Sequence, residues 1–167
     1  MMFIILMGVA GSGKTTVGRL IARRLGWHFY EGDDFHPAAN RTKMHRGEPL
    51  TDEDRRPWLD ALAELIHQCA QRNENAVLAC SALKQAYRQR LALPTAEVRF
   101  VYLRGSHGLI APRLASRRGH FFNPVLLQNQ FDTLEEPSDA LVVDISGTPD
   151  QTADQIIRAL GLKPATP

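Results

Sequence analysis

The sequence predicts an α/β fold, a five-stranded parallel sheet with helices packed on both of its faces. Three observations lead there. Short runs rich in apolar and aromatic residues recur at Phe3–Met7, His28–Glu31, Ala76–Cys80, Val98–Leu103 and Ala140–Ile145. Between them lie stretches whose apolar residues return at helical spacing. Near-continuous apolar strands separated by amphipathic helices are the pattern of a parallel sheet buried on both sides. In such sheets ligands gather beyond the carboxyl ends of the strands. That rule directs attention to Gly8–Thr15, Glu31–His36, Ser81–Lys84, Arg104 and Ser146–Pro149.

Each element has its own signal. The opening run ends at Gly8, too short for a signal segment or for the roughly 20 residues that span a bilayer. It reads as a buried first strand. Thr15–Leu25 reads as a helix with Val17, Leu20, Ile21 and Leu25 near one face. Thr51 is placed to cap a helix whose first turn carries Asp52, Glu53 and Asp54, where the helix dipole favours acids. Leu59, Leu62, Ala63, Ile66 and Ala70 then continue it. Pro57 has no N–H to donate, so this helix either kinks there or begins afresh at Pro57. Helices are expected over Ala82–Leu91, from after Leu103 to Arg118, over Asn123–Leu134 and over Asp150–Leu160. The tail 162–167 is expected to fray.

Composition narrows the function classes. The chain has 167 residues, 44% hydrophobic and 23% charged, enough for one core without staples. Lys and Arg number 20 against 18 Asp and Glu, a net charge of +2. So small an excess argues against a general nucleic-acid or membrane-surface partner. Cys69 and Cys80 match no metal-binding spacing and read as reduced thiols in a cytosolic protein.

The strongest motif is Gly8-Val9-Ala10-Gly11-Ser12-Gly13-Lys14-Thr15, which fits G-x-x-x-x-G-K-[ST] between a strand and a helix. Its glycines let successive backbone N–H groups face one concavity, and the helix that follows adds its positive end. Lys14 can reach the β- and γ-phosphates, and the Thr15 hydroxyl can hold Mg²⁺. Gly8, Val9, Ala10, Gly11, Ser12, Gly13, Lys14, Thr15 and Thr16 are therefore the candidate nucleotide contacts.

A phosphate loop alone leaves kinase, GTPase, motor ATPase and ATP-sensing module open. No N-K-x-D guanine-reading loop is present, and the third strand ends Ala79-Cys80-Ser81, without a motor's terminal acid. The turn Glu31-Gly32-Asp33-Asp34-Phe35-His36-Pro37 brings carboxylates about 20 residues after the loop, where one could take a hydroxyl proton or bind Mg²⁺ through water. A solvated acidic turn is the plainer alternative. Arg104, Arg113, Arg117 and Arg118, followed by Gly119-His120-Phe121-Phe122, suggest an arginine-bearing flap over the phosphates, against the alternative of a solvated basic helix.

These residues carry a family resemblance. The loop with Met7, Glu31-Gly32-Asp33, His36-Pro37, Asn40, Lys43-Met44, Gly47–Arg55 and Pro57-Trp58-Leu59 resemble the bacterial gluconokinases. So do Cys80–Lys84, Tyr87-Arg88, Arg117, Gly119–Phe122, Gln130-Phe131, Leu134-Glu135 and Pro137. Ala10 departs from the family's common Ser at a position where the backbone does the binding.

The resemblance implies a three-layer P-loop kinase fold, a single domain over 1–167 with a mobile Arg-bearing lid over about 113–125. It implies transfer of the γ-phosphoryl of ATP, with Mg²⁺, to the 6-hydroxyl of D-gluconate, and a tendency to form homodimers. Lys14, Asp33 and Arg117 become the expected catalytic residues, and Thr15 the metal ligand. Asp33, His36, Arg55, Ser81, Lys84 and Arg88 are the expected substrate contacts, the cations because a sugar acid needs a partner for its carboxylate. Trp58 would wall the pocket, and Ser146–Pro149 lies where kinases of this fold hold adenine. The rival readings are another small-molecule or nucleotide kinase of the same fold, or an ATP-binding regulatory module without turnover.

Overall fold

Met2–Met7 form strand β1, whose residues Phe3 to Met7 are all fully buried. Alternation sends Ile4 and Leu6 to one face and Phe3, Ile5 and Met7 to the other, so both faces need a covering layer. The computed structural model describes residues 1–117 and 123–165 and supplies both layers. The other strands are β2 (His28–Glu31), β3 (Ala76–Ala79), β4 (Glu97–Arg104) and β5 (Leu141–Asp144). All pair in parallel, in the order β2-β3-β1-β4-β5. Ile5 of β1 sits between Leu78 of β3 and Phe100 of β4. The chain leaves β1 towards one edge and later crosses to the other, so the loops after β1 and its neighbours part at the carboxyl edge.

The helices are α1 (Lys14–Leu25), α2 (Ala38–His45), α3 (Asp52–Gln71), α4 (Gln85–Leu91), α5 (His107–Ala115), α6 (Pro124–Thr133) and α7 (Pro149–Ala159). Residues from α1, α5, α6 and α7 pack on the Ile4/Leu6 face. Those from α3 and α4 pack on the Phe3/Ile5/Met7 face, where Trp58, Leu59, Leu62 and Ile66 are buried. Each such side chain contributes about 1.5–3 kcal/mol by leaving water.

Several local expectations change. Helix α3 does not begin afresh at Pro57 but runs through it from Asp52. Its first turn is held by a capping box: Asp54 N–H donates to Thr51 Oγ1 at 3.1 Å, and Thr51 N–H to Asp54 Oδ2 at 2.9 Å. That cap, with the buried face beyond, offsets the bond Pro57 cannot make. The helix expected from Ala82 begins only at Gln85, because Ala82 adopts φ 42° and 82–84 stay an irregular strand-end loop. Helix α5 ends at Ala115, short of the expected Arg118, which lies outside the described residues, as do Gly119–Phe122. Helix α2 and a 3₁₀ turn over Gly32–Phe35 were not anticipated. The tail, expected to fray, is tied as far as Ala165, whose N–H donates to Arg24 O at 2.8 Å. Among the described residues no helix is long and apolar enough to cross a membrane.

Candidate active site

The loop between β1 and α1 ends in a conformation that favours glycine. Gly13, the residue before α1, has φ 91°, and no side chain caps the helix. Nor does α1 carry an acid in its first turn, whereas α3 has three there and a capping box. The first N–H groups of α1 are thereby left for an anion. Lys14 Nζ reaches back to Gly8 O at 3.0 Å and Val9 O at 2.9 Å. Burial lowers the Lys14 pKa, while the nearby Asp33 and Glu31 carboxylates push it back up.

Two clefts flank the loop. The larger, about 600 Å³, runs from Ala10, Gly11, Gly13, Lys14 and Thr15 to Glu31, Asp33, His36, Arg55, Trp58 and Ser81. The smaller, about 280 Å³, is bounded by Gly11, Ser12, Gly13 and Thr16, by Arg113 and Arg117, and by Gly147, Pro149 and Thr152. Arg117 borders both. Gly8 and Val9 line neither, and act behind the loop: Gly8 N–H donates to Ser81 O at 3.2 Å, joining the turns that follow β1 and β3.

The acidic turn is fastened to the cleft by close packing. A Cβ on Gly32 would sit 2.5 Å from Ala79 O, so only glycine lets this turn lie against β3. Trp58 Nε1 donates to Gly32 O at 2.8 Å, which satisfies the buried indole. The Trp58 ring stacks on His36, with centroids 4.4 Å apart and planes at 13°. Asn40 donates to Asp54 O at 2.7 Å and pairs with His36 Nδ1 at 3.2 Å. With Asn40 as donor, Nδ1 is the acceptor and the neutral ring carries its proton on Nε2. Burial lowers the His36 pKa despite the neighbouring Asp33 charge, which keeps that neutral form.

Glu31 accepts a hydrogen bond from Thr15 Oγ1 at 2.6 Å. Burial raises its carboxyl pKa, against the lowering effect of that bond. The residue belongs to the acidic turn singled out in the sequence, but its contact with the phosphate-loop threonine was not foreseen. Among the described residues no group of three or more His, Cys, Asp or Glu could hold a metal ion.

Two expected substrate cations do not line the cleft. Lys84 pairs with Asp52 at 2.9 Å. Arg88 is 6% exposed and donates to Ala82 O at 2.9 Å and Leu83 O at 3.2 Å, bracing the loop that carries Ser81. Arg55 does line it, with Nη1 on Leu50 O at 2.5 Å. Sequence reasoning missed a further wall: Asn123, Leu126, Asn129, Gln130 and Thr133, all on α6 or its cap. Gln130 Oε1 accepts the Ala10 N–H at 2.6 Å.

Comparison with known proteins agrees with this geometry. The shikimate kinase family model matches residues 10–160. A gluconokinase from Gluconobacter oxydans (strain 621H) is 46% identical over 159 residues, covering 93% of this chain and 89% of that protein. The chain belongs to the gluconokinase family. The thermoresistant gluconokinase of Escherichia coli (strain K12) is 45% identical over 145 residues, covering 84% of this chain and 83% of that one. The crystal structure of a gluconokinase from Sinorhizobium meliloti 1021 superposes with a TM-score of 0.85 at 42% identity, over 95% of this chain and 90% of that one. Membership makes the chain a P-loop kinase.

Proposed function

We propose that the chain transfers the γ-phosphoryl group of ATP to the 6-hydroxyl of D-gluconate, giving 6-phospho-D-gluconate and ADP in the catabolism of sugar acids. The observation that carries this reading is one cleft joining the phosphate loop to a carboxylate, an imidazole and a guanidinium. The triphosphate lies along the backbone amides of Gly11 and Gly13–Thr16, with Lys14 leaving its loop carbonyls for the β- and γ-oxygens. The adenine takes the smaller cleft, against Gly147 and Pro149. Arg117, bordering both clefts, serves as the lid arginine on the transferred group.

Asp33 accepts the proton of the attacking hydroxyl as its oxygen bonds to the γ-phosphorus and the bridging oxygen leaves with ADP. Phosphoryl transfer is mostly alignment, so Asp33 acts chiefly by orienting that hydroxyl. His36 Nε2–H and Ser81 take hydroxyls of the chain, and Arg55 takes the carboxylate bidentately. Lys84 and Arg88 hold the scaffold around them. A hard cation suits the oxygen donors Thr15 and Glu31, and so few protein ligands fit Mg²⁺, which keeps water and phosphate in its shell. Bound there, Mg²⁺ would neutralise charge on the β- and γ-phosphates.

The enzyme is taken to act as a cytoplasmic homodimer, and the buried free thiols Cys69 and Cys80 support a reducing compartment. A coupled ADP-release assay across gluconate, idonate, shikimate and nucleoside monophosphates tests the substrate. Saturable turnover with gluconate is expected, and turnover confined to the last two would overturn the reading.

A further inference from the structure

Tyr87 belongs to no motif of phosphoryl transfer and does not line the cleft, yet it is 5% exposed beneath the one arginine proposed to hold the substrate carboxylate. The Arg55 guanidinium lies 5.7 Å from the centroid of the Tyr87 ring, within cation–π range. The Tyr87 hydroxyl donates to Asp52, and Lys84 Nζ reaches both oxygens of that carboxylate, at 2.9 and 3.1 Å. These contacts bind the first turn of α3, which presents Arg55, to the start of α4.

Asp52 precedes Arg55 by three residues on α3, so an unpaired Asp52 would be its natural ion-pair partner. Here Lys84 and the Tyr87 hydroxyl engage that carboxylate, while the ring face and Leu50 O hold Arg55. An arginine fixed in this way loses less side-chain freedom when a planar anion arrives. Lys84, expected from sequence to touch the substrate, instead occupies the competitor of the residue that does.

We propose that Tyr87 is a positioning residue for the acceptor: its ring, anchored through Asp52 and Lys84, holds Arg55 in the orientation that receives the sugar-acid carboxylate. The proposal rests on the Arg55 assignment given above. It concerns recognition of the acid end of the substrate and not the nucleotide.

Steady-state kinetics on folded variants test it, with KM for gluconate and KM for ATP read separately. Tyr87→Met removes the ring face, and Tyr87→Leu replaces it where Tyr87→Met does not fold. The expected result is a rise of about three- to tenfold in KM for gluconate, the size of a partly desolvated cation–π contact, with KM for ATP unchanged. Tyr87→Phe keeps the ring and should return KM for gluconate to within about twofold of the parent, since only the hydroxyl contact is lost. On an Arg55→Ala background, Tyr87→Met should add nothing, because the two act through one interaction.

The failures are distinguishable. If Arg55→Ala leaves KM for gluconate unchanged, the carboxylate assignment falls and this inference with it. If Arg55→Ala raises KM but Tyr87→Met does not, or raises both KM values equally, Arg55 keeps its role and the inference about Tyr87 is overturned. Full additivity in the double variant overturns it too.

Discussion

The Ala10 amide donates to Gln130 Oε1 at 2.6 Å, joining the third residue of the phosphate loop to helix α6 across 120 positions of sequence. This bond ties the loop to α6, which walls the larger cleft. Gln130→Ala removes a hydrogen bond of about 1 kcal/mol that shapes the loop, so kcat/KM for ATP should fall about fivefold. Steady-state kinetics at saturating gluconate measure it. An unchanged value would show that the loop keeps its shape without α6.

In the proposed reaction Lys14 and Asp33 divide the phosphoryl transfer between them. Lys14→Ala should lower kcat by about 10²–10³, since it removes a positioned charge from the migrating group. Asp33→Asn should lower kcat by about 10²–10⁴ and leave ATP affinity nearly intact, because it acts on the acceptor hydroxyl. Turnover rates and nucleotide titration of both variants decide this. Parent-like kcat in either would remove that residue from its role.

His36 sets a pH dependence of stability. Its pKa is lowered in the folded protein from the ordinary 6.5, principally by burial against Trp58 and Asn40. The unfolded chain therefore takes up its proton first, so this contribution is full above the ordinary value and is lost as pH falls towards the folded one. Thermal melts between pH 7.5 and 5.5 should show the parent losing more stability on acidification than His36→Gln. Parallel curves would contradict the assignment of a buried neutral imidazole.

Thr51→Ala breaks the capping box at the helix end that carries Asp54 and Arg55. The expected cost is about 1 kcal/mol, or roughly 2–4 °C in Tm for a chain of this size. Differential scanning calorimetry measures it. A shift below half a degree would mean that packing of Trp58 alone sets the first turn.

Much of the fold is legible in the sequence. The strands announced themselves most plainly in β1 and β3, which are buried on both faces and carry no polar residue. The phosphate loop was legible because its backbone demands glycine at fixed places. Helix α2 was not, since Ala38–His45 buries only Asn40 and shows no apolar stripe. The Ala82–Lys84 segment was misread as helical because nothing in Ala-Leu-Lys signals the left-handed Ala82. Lys84 and Arg88 were expected at the substrate from the resemblance and from a carboxylate's need for a cation, and neither says which anion or carbonyl a cation meets in the fold. The α6 wall was invisible for a related reason: an amide such as Gln130 acquires its role only through a contact made across the fold.

The most direct test supplies the protein with Mg²⁺, γ-labelled ATP and D-gluconate, then separates the products. The account predicts label on the 6-oxygen of the sugar acid in step with ADP formed. Label that stays on ATP, or passes only to water, would contradict it.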